Sequence, residues 1–301
     1  MTFHSHTQGT DALDRRLWIC LAVNTSVTAV ELGAGLAAGS VALLADAVHN
    51  LADAAALGVT ILARALGRRT PTVRYTYGLR RAEILAALVN ALVLIAIAVL
   101  IGREAIGRLF HPSVVERPLM VGAALFALIA NSTCVLLLKD HENADINVRS
   151  AFLHLLQDAF ASLAVIAAAL LAPTAIGLYL DPIAAVLIGV LVLGGAGRIV
   201  REALRTLLEG SPPNLDIHKM VASVEDRFPS VQLHHVHVWE IGPGQRVLTA
   251  HIRTGHDRLE HAERIAASIR KYLRSTWDVG HVTLQVETTG CGSSDVVGTW
   301  E

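Results

Sequence analysis

Residues 44–57 read LADAVHNLADAAAL, an alanine-rich run that is apolar except for Asp46, His49, Asn50 and Asp53. His49 and Asp53 are four apart, so a helix sets both on one face about one turn from each other. A second apolar run, residues 150–171, repeats the pair as His154 and Asp158. Two helices that each offer an imidazole and a carboxylate close a set of two nitrogens and two oxygens, which is tetrahedral zinc chemistry. The competing reading is four ordinary polar contacts between helices. Ionisable groups inside a membrane-length segment point instead to a functional site.

The rest of the chain is built to match. Hydrophobic residues make up 53% of the 301 and charged residues 17%, with a mean hydropathy of +0.49. The net charge of −1 is uninformative about partners, and no nucleic acid is expected among them. Cys20, Cys134 and Cys291 are widely spaced, in no metal or disulfide pattern, and the first two read as small hydrophobes. The polar start, followed by Arg15 and Arg16, does not resemble a cleavable signal.

Six hydrophobic segments can be placed, at about 16–37, 41–65, 81–102, 118–138, 150–172 and 177–198. Each is near the roughly 20 residues that a helix needs to cross the hydrocarbon core. Gly39 separates the first two as a tight helical hairpin. Arg64, Arg68, Arg69, Arg74, Arg80 and Arg81 flank the loop between segments two and three. Arg15, Arg16, Lys139, Arg149, Arg198, Arg201 and Arg205 fall on the same side, against Arg103, Arg108 and Arg117 on the other. Both termini are therefore expected in the cytoplasm.

The last third changes character. EGSPPN at 209–214 reads as a linker. Residues 215–228 have helical spacing, VQLHHVHVWEI at 231–241 alternates, and Gly242-Pro243-Gly244 turns the chain into a partner strand at 245–253. A charged amphipathic helix at 256–274 and a strand, HVTLQVE at 281–287, follow. The order helix, strand, strand, helix, strand describes a small α+β module of about 80 residues. The expected divisions are a flexible cytoplasmic N-terminus (1–15), a six-helix transport domain (16–207), a cytoplasmic ferredoxin-like metal-binding and dimerisation domain (208–290) and a tail (291–301). Exposed strand edges make pairing through the sheet a route to a dimer.

DAVHNLAD at 46–53, YTYGLRRAE at 75–83, HLLQD at 154–158, HHVHVW at 234–239 and TAHI at 249–252 together resemble the cation diffusion facilitator family. The likeness runs from about residue 12 to 288. It is nearer the bacterial zinc and cadmium/zinc exporters than the iron or manganese branches. It implies a homodimer in the bacterial cytoplasmic membrane that exchanges cytoplasmic zinc, with cadmium and cobalt as further cargoes, for protons. Protons and metal compete for one set of lone pairs on His49, Asp53, His154 and Asp158, which is a direct physical route to antiport.

The neighbours are read more plainly. Asp46, three before His49, is expected to order a ligand histidine rather than to bind metal. Asn24, Asn50, Asn90 and Asn131 suit contacts between helices, Glu31 either such a contact or proton entry, and Asp181 beside Pro182 the start of the sixth helix. Many relatives place a histidine after the glycine of the YTYGLRRAE motif; Leu79 stands there and has no lone pair, so that additional metal site is not carried over.

In the tail the resemblance maps a cytoplasmic zinc set onto His234, His251 and Glu287, with Gln285 where a histidine sometimes stands. Strict alternation puts His235 and His237 on one face and His234 on the other, so it forbids one cluster of all three. The alternative reading is a dimerisation module with surface histidines. Two functional classes follow: a proton-coupled zinc exporter, or a membrane zinc sensor without net transport. An enzyme is not expected, since no H-E-x-x-H or similar open-coordination motif is present and catalysis leaves the six spans unexplained.

Overall fold

A computed structural model of the chain describes residues 5–52, 54, 69–139, 146–171, 174, 177–254, 258–287 and 295–297. Two compact units emerge: Met1–Gly58 with Asn90–Arg198, and Val59–Val89 with Ile199–Glu301.

Long apolar runs of the first two-thirds fold as helices: α1 (Ser5–Ala38), α2 (Val41–Ala52), α3 (Ala82–Phe110), α4 (Arg117–Leu138), α5 (Ile146–Leu171) and α6 (Gly177–Leu207). Among the described residues, five of them are long and apolar enough to cross a membrane, and α2 is a shorter apolar helix. The remainder of the expected second span, residues 53 and 55–65, lies outside the described residues. Helix α1 begins at Ser5, and its stretch long and apolar enough to cross a membrane is Trp18–Ala38, in keeping with the expected segment.

Within the first unit α4 packs on both α1 and α5. Its interior is lined mainly by small residues from five helices, among them Ala42, Ala105, Ala123, Ala169 and Ala185, which let the backbones approach closely. The large side chains point outward: Leu100 is 64% exposed and Leu136 68%. A water-soluble helical protein buries such residues, so this inverted distribution suits a lipid surround.

The turn between α1 and α2 is closed by a bond from Ser40 N to Gly35 O at 3.0 Å, with Gly39 at φ +66°. This six-to-one helix ending needs a left-handed residue, which glycine supplies without strain. A side chain at Gly35 would meet Leu44 Cγ at 3.0 Å, so glycine also sets the approach of α2 to α1. Arg108 donates to Gly39 O, and Arg117 Nε donates to Ala169 O at 3.1 Å. Two of the three arginines that ran against the loop-charge bias thus satisfy carbonyls at helix ends.

In the second unit, α7 (Ile217–Arg227), β1 (Val231–Glu240), β2 (Arg246–Thr254), α8 (Leu259–Trp277) and β3 (Val279–Glu287) follow the helix, strand, strand, helix, strand order expected from the sequence. The sheet order is β1-β2-β3, with β1 antiparallel and β3 parallel to β2. Val224, Val236, Leu248, Ile252, Ile269 and Leu273 form its core. Leu248 is completely buried, so Leu248→Ala should destabilise this sheet by about 2–5 kcal/mol. The check is a lower denaturant midpoint for the tail transition of the purified protein.

The linker after α6 turns through Glu209, left-handed at φ +59°, while Gly210 N bonds Arg205 O at 2.8 Å. The Glu209 carboxylate meets Arg81 Nη2 at 2.8 Å, and Arg80 donates to Gln245. These pairings give the two arginines of the YTYGLRRAE motif their partners.

Candidate metal centres

In the first unit, α2 supplies His49 and α5 supplies His154 and Asp158, and one ligand atom from each lies within 4.8 Å of the others. Helical geometry explains the α5 pair: residues four apart share a face, and Asp158 is almost completely buried. His154 Nε2 and Asp158 Oδ2 are 3.4 Å apart. Two donors each about 2.0–2.1 Å from a tetrahedral ion sit about 3.3 Å from one another, so this spacing is the edge of such a tetrahedron. The His49 and His154 rings meet edge to face with centroids 5.8 Å apart. Asp53, the fourth residue of the sequence-derived set, lies outside the described residues.

Around this group the fold gathers polar side chains that the sequence left scattered. Asn50 Nδ2 donates to Glu31 Oε2 at 3.2 Å. Glu31 also lies against the Asp46 carboxyl, and His154 and Asp158 are near neighbours of Asp46. Glu31, Asp46 and Asn50 are all buried, so Asn50 makes the contact between helices that sequence assigned to it. Asn131 is buried as well, with no hydrogen-bond partner for its amide among the described residues. Cys20 and Cys134, far apart in sequence, meet between α1 and α4 in a small apolar cluster as free thiols. Asp181 does not begin its helix: α6 starts at Gly177, and the Asp181 carboxylate accepts from the backbone of α2 instead.

The tail holds a second group, His234, His251 and Glu287, again with one ligand atom each within 4.8 Å. The Glu287 carboxylate spans the two histidines: Oε2 lies 3.1 Å from His234 Nε2, and Oε1 lies 2.8 Å from His251 Nδ1. Gln285 Nε2 donates to Oε1 at 3.2 Å, so the residue in the histidine position steadies the glutamate. His234 is 1% exposed. The nitrogen it turns to Glu287 is Nε2, and its Nδ1 is buried without a hydrogen-bond partner among the described residues.

Here strict alternation fails. His234 pairs with His251 and His237 pairs with Thr249, so two residues of β1 oppose one of β2. That is a β-bulge, with His235 left-handed at φ +52°. The extra residue resets the period, so His234 and His237 come to one face although they are three apart. His235 stacks on His251 at 4.7 Å and meets His237 at 5.0 Å. The separation of His234 from His235 and His237 is thereby corrected. Burial and the neighbouring His235 and His251 hold the His237 pKa below the usual imidazole value. His281, by contrast, is exposed and sits against Tyr77 at 5.9 Å, away from the group.

The bulge also changes the exposed edge of β1. His235 N and Val236 N donate to Asp295 O and Val296 O at 3.1 and 2.7 Å. Chain-terminal backbone thus occupies the edge there, where sequence left it open for pairing with a second copy.

The sequence pattern of the cation efflux transmembrane domain matches residues 17–208, and that of the cation efflux protein cytoplasmic domain matches residues 212–289. The chain is 38% identical over 299 residues to the zinc transporter ZitB of Escherichia coli, covering 97% of this chain and 94% of that protein. It is 32% identical over 296 residues to the metal cation efflux system protein CzcD of Cupriavidus metallidurans, covering 97% and 91%. A cadmium, cobalt and zinc/H(+)-K(+) antiporter of Bacillus velezensis is 31% identical over 289 residues, covering 95% and 92%.

Proposed function

The chain belongs to the cation diffusion facilitator family of divalent-metal transporters, and from that premise we propose that it exports zinc from the cytoplasm in exchange for protons. His49, Asp53, His154 and Asp158 are the four ligands of the transported ion. The observation that carries this reading is the 3.4 Å spacing of His154 Nε2 and Asp158 Oδ2, beside His49 from a different helix. Helical repeat sets Asp53 one turn beyond His49, which completes two nitrogens and two oxygens. In this reading residues 41–65 form the second of six spans, both termini are cytoplasmic, and the tail is a ferredoxin-like dimerisation domain. The membrane is the bacterial cytoplasmic one, and residues 16–207 and 208–290 are the two domains.

Antiport follows from the chemistry of the ligands. Two carboxylates neutralise the ion's charge and compensate for lost hydration. When zinc leaves, the same lone pairs accept protons, so one site alternates between two cargoes. Cadmium and cobalt are further cargoes, as both accept this donor set; the name of the Bacillus velezensis relative mentions cadmium, cobalt, zinc, protons and potassium. The tail group His234, His251 and Glu287 binds zinc as a regulatory ligand, supported by one ligand atom from each residue lying within 4.8 Å of the others. The second reading, a membrane zinc sensor without net transport, would draw on that same tail group.

Sealed proteoliposomes carrying an internal zinc indicator separate the two. Under an imposed pH gradient, the exporter reading expects zinc movement coupled to an opposing proton movement. Zinc binding without flux, in folded and correctly inserted protein, would establish the sensor reading instead.

A further inference from the structure

We propose that Asp181 is a positioning residue for the transported ion: it fixes the first turn of α2 so that His49, about two turns along the same helix, faces His154 and Asp158. The inference rests on the transport reading given above.

A helix leaves its first four N–H groups without intrahelical partners, and in a buried position each must be satisfied. At the start of α2 every one is accounted for. Val41 N donates to Asp181 Oδ2 at 3.0 Å and Ala42 N to Asp181 Oδ1 at 3.3 Å. Leu43 N donates to Ser40 Oγ at 3.2 Å, and the N-cap's own N–H, Ser40 N, donates to Gly35 O at 3.0 Å. The Ser40 hydroxyl in turn donates to Asp181 Oδ1 at 2.5 Å. Two groups thus cap the turn, and one of them comes from α6, some 140 residues along the chain.

Both groups are out of solvent, Ser40 fully and Asp181 at 5% exposure. Among the described residues no lysine or arginine forms a salt bridge with Asp181. Its charge therefore lies against the positive end of the α2 dipole. The carbonyl side of the turn is held equally firmly: Glu116 N donates to Ala38 O at 3.0 Å, and Arg108 donates to Gly39 O.

The consequence follows from where the ligands sit. His154 and Asp158 share α5 and keep their spacing whatever α2 does. His49 reaches them only if α2 starts in the right place, and the carboxylate that ties the N–H groups of that start to another helix is Asp181. Asparagine at position 181 keeps the volume but removes the charge, and its amide nitrogen turns one of the two accepting atoms into a donor aimed at N–H groups or the Ser40 hydroxyl.

The test uses the full chain in proteoliposomes, with zinc flux measured against zinc concentration and normalised to folded, inserted protein. Asp181→Asn should raise the half-saturating zinc concentration about 10- to 100-fold, as loss of groups that orient a metal ligand does. Ser40→Ala, which removes one cap and leaves the carboxylate, should raise it about fivefold. Amide exchange at Val41 and Ala42 should accelerate in Asp181→Asn, a readout that needs no transport. A merely structural role would lower the yield of folded protein and leave half-saturation of the folded fraction unchanged. That outcome in Asp181→Asn overturns the inference; if that variant does not fold, unchanged half-saturation in Ser40→Ala overturns it. Absence of flux in the unmodified chain counts against the transport reading, and then unchanged amide exchange at Val41 and Ala42 in Asp181→Asn would overturn the capping separately.

Discussion

Asp158→Ala should reduce zinc flux to about a hundredth of the unmodified chain or below, while the protein still inserts. Asp158 is almost completely buried, and its Oδ2 stands at the tetrahedral-edge distance from His154 Nε2. On the proposed reading, alanine removes a ligand, half of the site's formal negative charge and one of the groups that takes up the returning proton. A doubly charged ion in a low-dielectric interior loses more from a missing countercharge than from a missing neutral ligand. Asp53→Ala should match it for the same reason, and His154→Ala should approach it by leaving an incomplete shell. Changes in the tail should behave differently. His234→Ala or His251→Ala should leave flux measurable at high zinc and alter regulation or dimer stability instead. Parallel flux assays on folded, inserted protein make the comparison. Equal loss in His234→Ala and Asp158→Ala, with assembly intact, would overturn the division between transport core and regulatory tail.

His49→Asp should shift the zinc-to-manganese preference by about tenfold toward manganese, a change of about 1.4 kcal/mol in relative transport free energy. Imidazole nitrogen suits zinc, cadmium and cobalt, whereas carboxylate oxygen suits the harder manganese ion. The edge-to-face contact of His49 with His154 shows that the substituted atom belongs to the cluster and not to a distant face. Competition transport at matched pH gives the ratio directly. An unchanged ratio in a folded variant would place selectivity elsewhere in the protein.

Much of this organisation was legible in one dimension because it rests on local periodicity. A helix puts residues four apart on one face, so His154 and Asp158 could be paired from spacing alone, and the structure keeps them at 3.4 Å. Length and apolarity marked the long helices; alternation marked the first and third strands of the tail and the Gly242-Pro243-Gly244 turn the second, in the correct order.

What escaped the sequence was decided by contacts between distant segments. Asp181 beside Pro182 has the local look of a helix start, yet its carboxylate closes the start of α2. No local rule can state that, because the N–H groups it satisfies belong to a different helix. Glu31 and Asn50 looked like separate intramembrane polar residues until α1 and α2 packed and joined them at 3.2 Å. In the tail, a period of two assigned His234 and His237 to opposite faces, and one extra residue in β1 reversed it. A bulge is set by how two strands pair, which no single strand's pattern contains. The sequence by itself therefore determined the ligand types, their helical spacing and the element order. The tertiary structure alone decided which helix end is anchored by which carboxylate and which histidines share a face, since both depend on pairing between segments far apart in the chain.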